Sequence, residues 1–185
     1  MHRRRVLSAI ADYRARFPQE SATVERFEAL LTDRPDCFDR DCFEPGHITG
    51  SAWLVDASGK RLLMTHHKKL GRWLQLGGHS DGEANPLRVA MKEAEEESGL
   101  AVKPLDDQVL DLDVHEIPAR RADPAHYHYD VRFVLQVVGS EAFTVSDESH
   151  DLAWVEIARI GQFTDEESIL RMARKYQESA SVLSG

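Results

Sequence analysis

The chemistry in this chain is most legible in one run of glutamates. Lys92-Glu93-Ala94-Glu95-Glu96-Glu97-Ser98-Gly99-Leu100 carries four of them within five residues. If the run is helical, Glu93, Glu96 and Glu97 share a face at about 100° per residue, and Glu95 points away. Three carboxylates on one face repel, each adjacent pair costing a few tenths of a kcal/mol. The helix dipole adds to the penalty at the C-terminal half. A divalent cation reverses both penalties. Hard oxygen donors suit Mg²⁺, with Mn²⁺ as a substitute, bridging protein carboxylates to phosphate oxygens.

A second group lies on His126-Tyr127-His128-Tyr129-Asp130-Val131-Arg132-Phe133. Period two puts His126, His128, Asp130 and Arg132 on one face, and the apolar residues, with Tyr127 and Tyr129, on the other. Lining a cleft, Arg132, His126 and His128 would contact substrate phosphate, and Asp130 a base or ribose. Other patterns carry less. Cys37-x4-Cys42-x4-His47 lacks an obvious fourth ligand for zinc. His115-Glu116 has no second histidine to complete a His-Glu-x-x-His metal motif, and Gly59-Lys60 reads as a turn, without the upstream glycine of a P-loop.

These groups need a scaffold. Asn85 as cap, Pro86 in the first turn and Gly99 as terminator bound a helix over 86–98. Leu87, Ala90, Met91 and Ala94 would dock it, leaving Arg88, Lys92 and Glu95 to solvent. Residues 47–55 and 61–65 flank Asp56-Ala57-Ser58-Gly59-Lys60 as a hairpin. Strands follow at 107–117, 126–138 and 152–157, then a helix near 165–177. Val6, Ile10, Tyr13 and Phe17, then Val24, Phe27, Leu30 and Leu31, recur at helical spacing. They predict a helical N-terminal extension over 1–35, a dimerisation arm or a lid. Residues 35–45, with four acidic side chains, read as a linker before a domain at 46–180. Helices on both faces of a mixed sheet make an α/β sandwich.

Composition narrows the partners. The 185 residues hold 23 Lys and Arg against 32 Asp and Glu, a formal charge of −9. That balance argues against a nucleic-acid backbone as partner. No apolar run approaches the ~20 residues that cross a bilayer. Two cysteines are too few for a disulfide framework and fit a reducing cytoplasm. The basic start, Met1 to Arg5, runs into Asp12, Arg14 and Arg16, which disfavours a secretory signal.

The segment 78–100 resembles the Nudix box, G-x5-E-x7-R-E-U-x-E-E-x-G-U with U a bulky aliphatic residue. Gly78, Glu93, Glu96, Glu97, Gly99 and Leu100 match at the required spacing. Ala84 stands where the box has its first Glu, with Glu83 adjacent, and Lys92 replaces the box Arg, keeping charge but losing the planar fork. The resemblance implies a Nudix-like α-β-α sandwich with a mixed sheet. It implies metal-dependent cleavage of a nucleoside diphosphate linked to another group. Glu93 would be the base or orient it, and Glu97 would act with it. Glu93, Glu96 and Glu97 would hold the metal with the Gly77 carbonyl and a further acidic loop residue, Glu148. Two other readings remain open. His47-Ile-Thr-Gly-Ser-Ala-Trp-Leu and Gly78-His79 are also similar to isopentenyl-diphosphate isomerase, which has a catalytic Cys where this chain has Gly77. A non-catalytic nucleotide sensor is the third.

Overall fold

The computed structural model describes residues 2–68, 71–120, 122–145 and 149–183. Two helices come first, α1 (His2–Arg16) and α2 (Ser21–Asp33). The sheet strands are β1 (Gly46–Val55), β2 (Arg61–His67), β3 (Arg72–Leu74), β4 (Leu76–His79), β5 (Val102–Ile117), β6 (His126–Val137) and β7 (Ser149–Glu156). Helix α3 (Pro86–Ser98) lies between β4 and β5, and α4 (Glu167–Leu183) closes the chain. The strand order is β3-β2-β1-β6-β5, with β4 paired to β1 and β7 to β2. Among the described residues only β1 and β6 run parallel, so the sheet is mixed.

Alternation along β1 divides the core. Ile48, Ala52 and Leu54 join α1, α2 and α3 in one apolar cluster, whereas Trp53 and Val55 join α4 residues Ile169, Met172 and Tyr176 in another. The result is a helix-sheet-helix sandwich. Helices α1 and α2 are part of it, since Ile10, Tyr13, Val24, Phe27 and Leu30 are buried in the same cluster as the sheet. The segment expected as a linker is packed as well: Cys37 and Cys42 are buried, and the Cys37 carbonyl accepts from the Ile48 N–H at 2.7 Å.

Helix α3 has the ends its sequence predicts. The Asn85 side chain accepts from Leu87 N–H, Pro86 opens the first turn, and Gly99 ends it at φ +70°. Its docking face is rotated slightly from the expected one: Val89, Ala90 and Ala94 are fully buried, while Leu87 and Met91 are partly so. Gly50 explains the close approach. A Cβ there would lie 2.5 Å from the Pro86 carbonyl oxygen and 2.9 Å from Val89 Cβ.

A charged network ties the two ends of the chain to the sheet. Strand pairing sets Arg132 beside Asp111, where the guanidinium meets Asp111 at 3.0 Å, Asp113 at 3.2 Å and Asp130 at 2.7 Å. From α4, Arg171 reaches Asp111 and Asp113 at 2.8 Å each. Lys175 reaches Asp111 at 2.6 Å, the Tyr13 hydroxyl at 2.6 Å and Glu20 at 2.7 Å. Asp111 is wholly buried and Arg132 nearly so. Burial alone would raise the Asp111 carboxyl. The Arg171 hydrogen bond and the charges of Arg132, Arg171 and Lys175 hold it below the usual carboxylate range instead. Asp113 is likewise depressed: burial opposes the shift, and His115, Arg132 and Arg171 cause it.

Two outcomes follow. Arg132→Met strands buried carboxylates and lowers stability by about 3–5 kcal/mol, read as a lower urea midpoint at unchanged slope. A carboxylate depressed on folding stabilises above its unfolded pKa of about 3.9. That contribution is lost as pH falls through the depressed folded value. The urea midpoint should hold from neutral pH to about pH 5 and drop below about pH 4, with a shallower drop in Asp113→Asn.

Candidate active site

The site is assembled by strand register. Antiparallel pairing of β1 with β4 sets Thr49 beside His79, Gly50 beside Gly78 and Ser51 beside Gly77. Parallel pairing of β1 with β6 sets His47 beside His128, Thr49 beside Asp130 and Ser51 beside Arg132. Strand β5 adds His115 beside His128 and Asp113 beside Asp130. Side chains in these rows share one face of the sheet. Between this face and the α3 glutamates lies a cleft of about 440 Å³, lined by Arg40, Gln75, His79, Glu93, His128 and Asp130 among others.

Gly78 lets α3 bring a carboxylate against β4. The Glu93 carboxyl lies against Gly78, where a Cβ would be 2.5 Å from its Cδ. Glu97 is buried, and its Oε1 accepts from the Gly77 N–H at 2.9 Å. Glu96 keeps 61% of its side chain exposed, beside Lys92. The Lys92 ammonium lies 3.5 Å from Glu93 and 3.6 Å from Glu96, whose charges, Glu93 first, raise its pKa. Three oxygen donors on one helical face, graded from buried to open, fit a hard divalent cation that keeps part of its water shell. The Gly78 surface, bare of a side chain, makes the cradle against which Glu93 rests.

Asp130 is held rather than open. Its Oδ1 accepts from Thr49 at 2.9 Å and Ser51 at 2.8 Å; its Oδ2 accepts from Arg132 at 2.7 Å and Gln75 at 3.3 Å. These bonds occupy the carboxylate, so it positions β1 against β6. Arg132 does not reach the cleft, because Asp111, Asp113 and Asp130 enclose it. The expectation of a phosphate contact there gives way. Among the described residues, the Lys and Arg side chains that line the cleft are Arg40, from the packed 35–45 segment, and Lys92. Arg40 also pairs with Asp81 at 2.5 and 2.6 Å. Glu83, the neighbour of Ala84, is turned to the Asn85 N–H at 2.9 Å. Glu148 lies outside the described residues.

The histidines were only half visible in sequence. His126 and His128 are where period two puts them, and His128 lines the cleft. His47 and His79 join them from β1 and β4, with ring centroids 4.8 Å (His47–His128) and 5.0 Å (His79–His128) apart. Burial first, and then neighbouring histidines, push His47 down to about 4 and His128 to about 2. A backbone hydrogen bond to Cys42 opposes the shift at His47.

A sequence profile of the NUDIX domain matches residues 46–176, more than two thirds of the chain. The chain belongs to the Nudix hydrolase family. No curated protein sequence matches it. Its fold is similar to that of a MutT protein from Methanosarcina mazei Go1, at TM-score 0.57 and 17% identity over 72% of this chain and 94% of that one. It is also similar to the E. coli dihydroneopterin triphosphate pyrophosphohydrolase, at TM-score 0.55 and 16% identity over 69% and 92%. A C. elegans Ap4A hydrolase gives 0.52 and 14% over 72% and 97%. Within this Nudix fold the isomerase reading meets an obstacle. A Cβ at Gly77 would sit 2.2 Å from Ser51 Oγ, and no cysteine lines the cleft among the described residues.

The contact at Gly78 gives a separable prediction. Gly78→Ala pushes on the flexible end of Glu93, not on backbone. Thermal stability should change by less than about 1 kcal/mol, while affinity for a divalent cation, measured by calorimetry, falls clearly.

Proposed function

We propose that this Nudix protein is a divalent-metal-dependent pyrophosphohydrolase, cleaving the diphosphate linkage of a nucleoside diphosphate joined to another group. The observation that carries the reading is the seating of the Glu93 carboxylate on Gly78, with Glu96 and Glu97 on the same helical face. The names of two similar structures, an Ap4A hydrolase and a dihydroneopterin triphosphate pyrophosphohydrolase, support a phosphoanhydride substrate. Glu93, Glu96 and Glu97 would hold Mg²⁺, or Mn²⁺ in its place, with the Gly77 carbonyl and Glu148 as further ligands. Such an ion, when bound, neutralises charge developing on the phosphoryl oxygens.

The chain's own residues account for the rest. Glu93 takes a proton from the attacking water, or orients the group that does. The water oxygen bonds to one phosphorus, and the bridging P–O bond breaks with its electrons on the leaving phosphate. Arg40 and Lys92 counter the charge of a diphosphate entering an acidic protein. His128 and the Asp130–Thr49–Ser51 cluster shape the wall opposite Glu93. The substrate is a small molecule; neither nucleic acid nor a membrane is part of the reading. Two buried free thiols, Cys37 and Cys42, suit a reducing cytoplasm.

The test is a panel of dinucleotides and nucleotide sugars, with product masses recorded with and without Mg²⁺. Two phosphorylated products should appear only with metal. Glu93→Gln should lower kcat by about 10²–10⁴-fold, and Glu97→Gln should abolish turnover. A full panel without metal-dependent turnover overturns the proposal. Nucleotide bound tightly but recovered intact would support a sensor instead.

A further inference from the structure

Three imidazoles outside the glutamate site converge where the proposed hydrolysis assigns no metal. The ligand-capable nitrogens of His47, His126 and His128 all lie within 4.8 Å of one another. Two of the rings are fixed by backbone. His47 Nδ1 faces the Cys42 carbonyl at 3.2 Å, and His126 Nδ1 faces the Pro124 carbonyl at 2.8 Å. A carbonyl oxygen only accepts, so each Nδ1 carries a hydrogen, which leaves Nε2 as the ligand atom of each ring.

At His47 that nitrogen has no protein partner. The residue is 1% exposed, and its Nε2 is a buried polar atom without a hydrogen bond. An orphaned acceptor deep in a protein costs about 1–3 kcal/mol. Its tautomer is set, it is hidden from water, and two further imidazoles stand beside it. Imidazole Nδ1–H bonded to backbone carbonyl is how proteins orient metal-ligating histidines and raise their basicity.

We infer that His47, His126 and His128 form a nitrogen-donor site for one borderline-soft transition-metal ion of the Zn²⁺ class, distinct from the hard-cation site of the glutamates. Three imidazoles suit Zn²⁺, Co²⁺, Fe²⁺ or Ni²⁺ and do not suit Mg²⁺. In a tetrahedral site with Zn–N bonds of about 2.0–2.1 Å, ligand nitrogens lie about 3.4 Å apart. Closing to that spacing takes small ring movements on strands that already hold the backbone in register. Three protein ligands leave a fourth position open. His128 lines the cleft, so that position opens on the substrate side. The inference does not depend on the hydrolase reading, because it concerns ion binding alone.

The test uses the full chain without a polyhistidine tag, stripped with a chelator and held in excess Mg²⁺ to satisfy the carboxylates. Zn²⁺ is titrated against a chromophoric competitor. One equivalent should bind to the wild type and to Glu96→Gln alike. His47→Gln and His128→Gln should each weaken it by more than about 100-fold, beyond the 10–100-fold typical of a lost outer-shell partner. Co²⁺ in the wild type should give the visible d–d bands of a four-coordinate nitrogen-rich site, which needs no variant to fold. No Zn²⁺ uptake in the presence of Mg²⁺ would overturn the inference. So would uptake that survives in folded histidine variants and disappears in Glu96→Gln.

Discussion

A guanidinium buried among carboxylates constrains the whole arrangement. Arg132 sits on β6, between β1 and β5, with Asp111, Asp113 and Asp130 around it, and Arg171 and Lys175 complete the balance from α4. Charges so deeply enclosed cost several kcal/mol each unless every one is paired in good geometry. Any slip of β5 against β6 would leave one of them alone, so the register is specified by electrostatics as well as by the apolar face. Arg132 anchors Asp130, Asp130 holds Thr49 and Ser51 of β1, and β1 sets the position of Gly77 and Gly78. The position of the α3 glutamate face therefore depends on this charged network.

The formal charge of −9 looks different once it is located. The internal carboxylates are matched by arginine and lysine and add little to it. Part of the excess is the α3 face, only partly offset by Lys92. The cleft itself sets Arg40 and Lys92 among Asp81, Glu93, Glu96 and Asp130, so an entering polyanion meets more carboxylates than cations there. Its two walls differ in donor chemistry. Hard carboxylates line the helix side, and imidazoles line the sheet side.

Local signals in the sequence were reliable where the physics is local. The cap at Asn85, the proline after it and the left-handed Gly99 mark α3 to the residue. Period two correctly put His126, His128, Asp130 and Arg132 on one face. It said nothing about depth along the strand, and Arg132 lies far enough in to meet Asp111 instead of substrate. His47 and His79 reach the imidazole cluster through pairings that sequence spacing does not encode, above all the parallel match of His47 with His128 across about 80 residues. Residues 35–45 look like a linker by composition. Their Cys37, Phe38 and Cys42 are buried, and the segment delivers Arg40 to the cleft.

The α3 carboxylates are proposed to direct water onto phosphorus in a diphosphate. The most direct measurement is turnover of a dinucleotide or nucleotide-sugar substrate in ¹⁸O-labelled water, with both products weighed. Cleavage should depend on Mg²⁺ and leave the label on the phosphate of one product and none on the other. Cleavage that leaves both phosphates unlabelled, or places ¹⁸O on carbon, would contradict the proposal.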